Sequence, residues 1–314
     1  MTKEQPLITL ERALGLVDGL LEETLGGKVP LLAEASRQML RSGGKRLRPR
    51  LVLLAHEALG GNNLSKAVTV AATVELLHTA SLIHDDINDH SDMRRGQPSV
   101  NARLGNSLAL LVGDYAFIRV LELLAELNAR IIRVLAECCT AIVEGETLQM
   151  LQAKMGVLSE EEHLRAIELK TASLFAACSE TGAIVAEGSE GQVRALRDYG
   201  LHLGMAFQLR DDVLDYIGDG TRLGKPVYSD LQEGKLSLAP LYAIQHRRDA
   251  REILTSGDGG RIRQLLAETG ALDYATACAT SHAQKAIEAI CPLPASPAKE
   301  ALGDLATLAV TRDR

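Results

Sequence analysis

Two clusters of aspartates are the part of this chain whose residue types and spacing best fit chemistry. Both have the form D-D-x-x-D, and they comprise Asp85, Asp86, Asp89, Asp211, Asp212 and Asp215. On a helix, residues i and i+4 lie on one face about 5–6 Å apart, so each cluster places two or three carboxylates together. Like charges repel at this spacing, whereas Mg²⁺ binds carboxylates together with waters and substrate phosphates. The pattern therefore indicates a metal-bridged phosphate site.

Basic residues lie near both clusters. The segment RSGGKRLRPR, residues 41–50, combines Lys45 and four arginines with a Gly-Gly pair that allows close backbone approach to a ligand. Arg94 and Arg95 follow the first cluster, and Lys225 follows the second. A single acidic or basic cluster is usually a solvated surface. Two acidic copies, each after an apolar run and before a basic loop, favour metal ions neutralising one side of a diphosphate and cationic side chains the other.

His78 and Lys170 are two further candidates. His78 lies seven residues, or about two helical turns, before Asp85, so it shares nearly the same face. This placement fits a phosphate contact and a hydrogen-bonded core histidine equally well. Lys170, followed by Thr171, lies inside an apolar helical run, where a charge is costly unless it is paired. A diphosphate would pair it, and the alternative is a side chain that extends to the surface.

Length and composition limit the functional classes. The chain has 314 residues, 46% of them hydrophobic, and a net charge of −7, which argues against nucleic acid as a partner. No uninterrupted apolar run reaches the roughly 18 residues of a membrane span, and the first residues do not resemble a secretory signal. Five cysteines without a C-x-x-C pair indicate free thiols in a reducing compartment. We therefore expect a cytoplasmic protein without an integral membrane segment.

Helical periodicity runs through almost the whole sequence. Apolar residues recur at helical spacing, and no segment shows sustained strand alternation. Breaks fall at short polar or Gly/Pro clusters, at residues 60–63, 94–98, 159–161, 218–226, 256–260 and 291–297. None of them is long enough to be a flexible linker. The sequence predicts one all-α domain over residues 1–314, with roughly ten or more helices.

Several strings, taken together, resemble the trans-type polyprenyl diphosphate synthase family. They are GGKRLRP, VELLHTASLIHDDINDHSDMRRGQPSVN, LVGDY, EGETLQ, KTA, FQLRDDVLDY and GKPVYSDLQEGK, in this order from about residue 40 to residue 235. The resemblance implies a single large helical bundle around a deep central cavity. It implies two aspartate motifs that face each other across the cavity mouth, three Mg²⁺ ions, and a homodimer.

The resemblance also implies roles for individual residues. The catalytic residues would be Lys170 and the six motif aspartates: Asp85, Asp86 and Asp89 would bind metal on the allylic diphosphate, and Asp211, Asp212 and Asp215 would bind from the other side. The direct metal ligands among them would be Asp85, Asp89 and Asp211. The allylic diphosphate would contact Arg94, Lys170 and Lys225, supported by Thr171, Gln208 and Lys235. Isopentenyl diphosphate would be held by Lys45, Arg48, His78 and Arg95. Two residues depart from the family pattern: His163 replaces an aromatic residue, often Tyr, and Tyr228 replaces a common Gly. Neither is expected to touch the proposed ligands.

Product length depends on the residues one to two turns before the first motif. Ala80 and Ser81 are small, whereas short-chain members of the family usually close this level with Phe or Tyr. The chain could then pass to Leu77 and beyond, since one helical turn rises 5.4 Å, about one extended isoprene unit. We expect an octaprenyl-like product of roughly six to ten units, suited to a quinone side chain. A shorter farnesyl or geranylgeranyl product would follow if Leu108 or Leu111 blocked the cavity.

Three other functions compete with this interpretation. A terpene cyclase would lack the GGKRLRP segment, and its second metal motif would be richer in Asn, Ser, Thr or Glu. A non-catalytic subunit of a heteromeric synthase would have lost one acidic motif, and here both are intact. A divalent-ion or phosphate-binding protein would form no extractable prenyl product from labelled isopentenyl diphosphate and an allylic primer.

Overall fold

Helices make up nearly all of the regular structure in the computed structural model, which describes residues 9–41, 46–94, 96–155, 159–217, 231 and 234–312. The first helices are α1 (Leu10–Thr24), α2 (Pro30–Arg41), α3 (Leu47–Ala58), α4 (Leu64–Asn88), α5 (Val100–Leu104), α6 (Asn106–Leu124) and α7 (Ala129–Met155). They are followed by α8 (Glu160–Ile167), a π-helical turn (Glu168–Ala172), α9 (Ser173–Val185), α10 (Glu190–Ile217), α11 (Leu238–His246), α12 (Ala250–Thr255), α13 (Gly259–Glu268), α14 (Ala271–Ala289) and α15 (Pro297–Thr311). The only β structure of the described ranges is an antiparallel pair of two-residue strands, β1 (Met93–Arg94) and β2 (Gln97–Pro98). The predicted all-α class is confirmed.

Several helices begin at residues whose side chains satisfy unpaired backbone N–H groups of the first turn. The Asn63 side chain caps α4 by accepting from the Lys66 N–H at 3.1 Å. Ser159 and Glu162 form a reciprocal capping box at the start of α8. Ser296 caps α15, which has Pro297 in its first turn. The breaks predicted at residues 60–63, 94–98, 159–161, 256–260 and 291–297 all fall between or at the ends of elements, whereas the one at 218–226 lies outside the described residues.

The chain divides into two compact units. Unit one comprises Met1–Arg133 and Cys178–Val193, and unit two comprises Val134–Ala177 and Arg194–Arg314. The first aspartate motif belongs to unit one and the second to unit two. The organisation of residues 1–314 as one domain stays a prediction.

Unit one is built on α4, which packs against α1, α3 and α6. By length and composition α4 could cross a membrane, but 72% of its most apolar 18-residue window is buried inside the protein, as in the core helix of a soluble protein. Glu75 interrupts its apolar surface and is only 6% exposed. The Arg46 guanidinium neutralises this carboxylate at 2.8 Å. A buried charge is therefore tolerated in the core because it is paired.

Unit two has a core formed by the second half of α10. Leu209, Val213 and Tyr216 of this helix are buried together with apolar residues of α11, α13 and α14. The Tyr216 hydroxyl lies 3.1 Å from the Ser237 hydroxyl, which satisfies both buried groups. Gly204 lets α10 approach the π-helical turn closely, since an added Cβ would lie 2.6 Å from the Ala172 Cα. This packing fixes the helix that carries the second aspartate motif.

Candidate active site

The first aspartate motif lies at the carboxyl end of α4. Asp85 and Asp89 are partly exposed, whereas Asp86 is fully buried. Asp89 is the residue at which the helix ends, and its N–H donates to the Asp85 carbonyl at 2.8 Å. The helix therefore presents two accessible carboxylates one turn apart, as the spacing predicted, and turns the third carboxylate inward.

Asp86 holds the β hairpin that follows the helix. Its Oδ1 accepts from the Arg94 Nε at 2.8 Å and also from the Arg94 Nη2. The Asn101 amide donates to the Asp86 carbonyl at 3.2 Å. Burial raises the pKa of Asp86, and the hydrogen bonds and charge of Arg94 oppose that shift. The Oδ2 of Asp86 is buried with no hydrogen-bond partner among the described residues, so a polar acceptor remains at the base of the motif.

A stripe of partly exposed residues runs along α4 toward this motif. His78, Ser81 and Asp85, at positions i, i+3 and i+7, are half-buried on a helix that is otherwise mostly buried. The Ser81 hydroxyl donates to the His78 carbonyl at 2.9 Å. Ala80 and Leu77, by contrast, are only 2% and 4% exposed. His78 therefore shares a face with the first aspartate, as its spacing predicted, and Ser81 is the accessible member of the small pair.

The string LVGDY places α6 against this end of α4. A Cβ at Gly113 would collide with the His84 imidazole, so the glycine permits the close approach of the two helices. The next residue, Asp114, has its Oδ1 3.5 Å from the His84 Nε2. The Tyr115 hydroxyl donates to the Gly26 carbonyl at 2.8 Å. This string supports the site by packing and hydrogen bonds.

Three arginines of the basic segment 41–50 have acidic partners within unit one. The pairs are Arg41–Glu22 at 2.8 Å, Arg46–Asp18 at 3.0 Å and Arg50–Glu11 at 2.7 Å. These contacts join α2 and α3 to α1 and are structural. Arg48 is half-buried on α3. Much of the positive charge that suggested a phosphate site therefore stabilises the helix packing.

The second aspartate motif lies near the end of α10. Asp212 and Asp215 are buried, at 7% and 1% exposure, and Asp211 is partly exposed. The Asp212 Oδ1 accepts from the Gln208 Nε2 at 2.9 Å. The Gln208 Oε1 in turn accepts from the Thr171 hydroxyl at 3.1 Å. Three of the residues expected at the site thus form one hydrogen-bonded chain.

His163 lies against the other oxygen of Asp212. The His163 Nε2 is 3.2 Å from the Asp212 Oδ2, and the two side chains are 9% and 10% exposed. The α8 helix therefore brings the His163 imidazole onto a residue of the second motif, and whether His163 touches the bound ligands stays untested. The sequence marked the position as unusual but gave no indication of this contact.

Lys170 is paired within unit two. It lies in the π-helical turn, and such turns often occur at functional sites. Its ammonium forms an ion pair with Glu146 and donates to the Gln149 Oε1 at 2.9 Å. Gly145 permits this contact, since a Cβ there would lie 2.9 Å from the Lys170 Cα. Glu146 and Gln149 lie in the string EGETLQ, but their role as lysine partners was missed.

Arg312 was also missed. Its Nη2 lies 2.7 Å from the Asp211 Oδ1 and donates to the Phe207 carbonyl at 2.8 Å. Its guanidinium stacks over the Phe207 ring, with 3.7 Å from the guanidinium carbon to the ring centroid. The exposed carboxylate of the second motif therefore has a cation beside it that comes from the end of the chain.

The donor atoms of the two motifs fit a divalent ion. No group of three His, Cys, Asp or Glu side chains converges as a closed metal cluster among the described residues. Mg²⁺, however, keeps several waters and needs only one or two carboxylates plus substrate phosphates. The partly exposed pair Asp85 and Asp89, and the partly exposed Asp211, supply hard oxygen ligands of this kind.

The expected site residues divide between the two units. Unit one carries Arg48, Leu77, His78, Ala80, Ser81, Asp85, Asp86, Asp89 and Arg94, and unit two carries Lys170, Thr171, Gln208, Asp211, Asp212, Asp215 and Lys235. Lys235 is half-buried just before α11. Lys45, Arg95, Lys225 and Tyr228 lie outside the described residues.

A helical chain with two carboxylate motifs and cationic side chains beside each fits an enzyme of diphosphate chemistry. Residues 29–267 match the polyprenyl synthetase family. The octaprenyl diphosphate synthase of Haemophilus influenzae is 39% identical, over 99% of both chains. A short chain isoprenyl diphosphate synthase of Methanothermobacter thermautotrophicus is 38% identical, over 95% of this chain and 96% of that protein. The crystal structure of a polyprenyl synthase from Caulobacter crescentus, complexed with calcium and isoprenyl diphosphate, is 38% identical with a TM-score of 0.91, over 97% of this chain and 96% of that one.

The chain belongs to the polyprenyl synthetase family. It is a trans-prenyltransferase of the polyprenyl diphosphate synthase type, with the isoprenoid synthase fold. The family implies a divalent metal and two substrates, isopentenyl diphosphate and an allylic diphosphate. The relatives span short and long products, so their names do not fix the product length of this chain.

Proposed function

We propose that this enzyme adds isopentenyl diphosphate repeatedly to an allylic primer and releases a polyprenyl diphosphate of roughly six to ten units for a quinone side chain. The observation that carries the proposal is the accessible stripe on α4, where the small Ser81 lies one turn before Asp85. An octaprenyl diphosphate synthase at 39% identity supports the same product class. A farnesyl or geranylgeranyl product is the second candidate, favoured by the short-chain relative at 38% identity.

The metal in this proposal is Mg²⁺, with three ions per site. Asp85 and Asp89 of the first motif and Asp211 of the second motif would bind these ions. When bound, Mg²⁺ supplies positive charge that stabilises the leaving diphosphate.

Cationic side chains hold the two substrates. Arg94, Lys170 and Lys225 would bind the allylic diphosphate, with Thr171, Gln208 and Lys235 in support. Arg48 and His78 would bind isopentenyl diphosphate together with Lys45 and Arg95. Binding both diphosphates at one site places the double bond of isopentenyl diphosphate next to the allylic carbon, which removes much of the entropic barrier.

Bond breaking comes first in the proposed reaction. The allylic carbon–oxygen bond breaks, its electron pair leaves with pyrophosphate, and an allylic cation remains. The double bond of isopentenyl diphosphate attacks this cation, forming the new carbon–carbon bond. The resulting cation loses a proton to the departed pyrophosphate and regains a double bond. An apolar surrounding would keep out water, which would otherwise capture the cation.

The proposed protein partner of this chain is a second copy of itself. The surface of α6 carries large apolar side chains that are about half exposed, and they are Leu110 (50%), Leu111 (52%), Ile118 (54%) and Leu121 (52%). They recur at helical spacing, and such patches mark interfaces more often than bare surface. We propose a cytoplasmic homodimer that covers this face.

Product analysis tests the function. Purified enzyme is incubated with Mg²⁺, radiolabelled isopentenyl diphosphate and an allylic primer, and the extracted product is dephosphorylated and separated by chromatography. We expect labelled polyprenols that grow by single isoprene units. Asp89→Asn and Asp211→Asn should abolish them, whereas Asp304→Asn, at an exposed aspartate of α15, should not. A primer converted to a cyclic hydrocarbon without incorporation of label would indicate a cyclase, and no product at all would indicate a binding protein.

A further inference from the structure

His163 is a buried histidine to which the proposed reaction assigns no role. Its Nε2 lies 3.2 Å from the Asp212 Oδ2, within ion-pair distance, and neither atom has a hydrogen-bond partner among the described residues. Both side chains are nearly shielded from water. An unpaired buried carboxylate oxygen is costly, so the imidazole is the group that offsets the burial of Oδ2.

The local structure fixes the imidazole in place. His163 is the fourth residue of α8, whose first turn is closed by the capping box of Ser159 and Glu162. Its N–H donates to the Ser159 carbonyl at 3.1 Å. The Gln152 amide donates to the Glu162 carbonyl at 3.2 Å and ties α8 to α7. The imidazole therefore approaches Asp212 from a rigid helix start and not from a mobile loop.

Asp212 consequently has a polar neighbour at each oxygen, a hydrogen bond at Oδ1 and the imidazole contact at Oδ2. Gln208 holds Oδ1, and Thr171 orients Gln208 in turn. Loss of the contact at Oδ2 would leave that oxygen buried and unpaired, and the carboxylate would gain by rotating toward water. Such a rotation would break the hydrogen bond from Gln208, because this bond and the His163 contact depend on the same orientation of the Asp212 side chain.

We infer that His163 is a positioning residue for the second aspartate motif: it fixes Asp212 so that the motif can bind a divalent ion together with a diphosphate. The inference rests on the proposed function, since it assigns the motif to the metal-bound diphosphate. Groups that orient metal-binding carboxylates in this way change metal affinity by about 10- to 100-fold when they are removed.

Three variants test the inference. His163→Phe keeps an aromatic ring of similar size and removes both nitrogens. His163→Gln places an amide N–H at about the same distance from the backbone as the imidazole Nε2 and can restore the contact. His202→Phe is the matched control, because His202 is a half-buried histidine of unit two whose partner is His282, at 3.1 Å. All three are made in the full chain.

The primary readout is binding without turnover. The rise in melting temperature on adding Mg²⁺ and inorganic pyrophosphate is measured as a function of Mg²⁺ concentration. For His163→Phe we expect the half-saturating Mg²⁺ concentration to rise at least tenfold, with His163→Gln near wild type and His202→Phe unchanged. In the prenyl transfer assay the same shift should appear in the Mg²⁺ dependence, whereas the KM for isopentenyl diphosphate at saturating Mg²⁺ should stay close to wild type.

The outcomes separate the inference from the proposed function. If His163→Phe binds Mg²⁺ and pyrophosphate like wild type, or if His163→Gln is as impaired as His163→Phe, the positioning role is refuted. If His163→Phe does not fold, the comparison of His163→Gln with His202→Phe decides. A His163→Gln variant that has the wild-type melting temperature but needs more Mg²⁺ for half-saturation contradicts the role. A His163→Gln variant with the wild-type half-saturating Mg²⁺ concentration supports it. If wild-type enzyme forms no labelled prenyl product, the proposed function fails whatever the variants do.

Discussion

Replacing Ser81 by phenylalanine should shorten the prenyl product. Ser81 lies one helical turn before Asp85 and is partly exposed on the same stripe, so a benzyl side chain there would project into the space next to the motif. One turn corresponds to 5.4 Å, about the length of one extended isoprene unit. A second blocking residue at Leu77, one turn deeper, should therefore allow about one more unit than the block at Ser81.

The loss of folding stability caused by each substitution also follows from burial. Ala80 and Leu77 are only 2% and 4% exposed, so Ala80→Phe and Leu77→Phe each force a ring into a packed region, and such overpacking costs about 1–3 kcal/mol. Ser81→Phe should cost less because its side chain already borders open space. Ser65→Phe, at an exposed serine near the other end of α4, is the matched control.

The assay is the length distribution of dephosphorylated, labelled products at a fixed primer concentration, with melting temperatures recorded for each variant. We expect Ser81→Phe to give the shortest products and Leu77→Phe to give products of intermediate length. Ser65→Phe should give products as long as those of the wild type. A Ser81→Phe enzyme that is folded and makes the wild-type distribution would refute the idea that this stripe borders the growing chain.

Three other predictions concern charge. Lys170→Ala should abolish prenyl transfer. It should also lower the free energy of unfolding by about 1–3 kcal/mol, because Glu146 is left half-buried and unpaired. The double variant with Glu146→Gln should regain stability in denaturant titrations but should stay inactive. Arg312→Gln should lower the half-saturating Mg²⁺ concentration about two- to fivefold, because it removes a guanidinium that competes with Mg²⁺ for Asp211. An unchanged half-saturating concentration in the melting-temperature titration would contradict this role. Burial, with smaller contributions from a neighbouring histidine and lysine, lowers the pKa of His282 from 6.5 to about 4. Between these pH values the unfolded chain binds a proton at His282 and the folded protein does not, so the folded state loses stability as the pH falls from 6.5 toward 4. His282→Phe should reduce the acid-induced loss of stability by about 1–2 kcal/mol between pH 7 and pH 4, measured by denaturant unfolding, and equal losses in both proteins would contradict the assignment.

The local sequence pattern was sufficient to predict the helical class, the breaks between helices and the placement of the first motif at a helix end. The i, i+4 spacing of Asp85 and Asp89 put both carboxylates at one helix end, and α4 ends there. The breaks predicted from Gly, Pro and polar clusters match the helix ends in the described ranges. These predictions succeed because helix periodicity and capping depend on residues within a few positions of one another.

Contacts between distant parts of the chain could not be predicted in this way. The spacing treats the three aspartates of each motif alike, yet Asp86 and Asp212 are buried against side chains from other elements. The partner of Lys170 lies on α7, and that of Asp211 lies beyond the end of α15. Such pairings depend on how whole helices pack, which no short segment encodes.

The sequence by itself determined the helical class, the position of both acidic motifs and the kind of chemistry that carboxylates and cations can support together. Only the tertiary structure decided which charges are available for that chemistry and which are consumed by the fold, as in the pairing of Arg46 with the buried Glu75. The physical reason is that a charge is defined locally by its residue type, whereas its exposure and its partner are set by the helices packed around it.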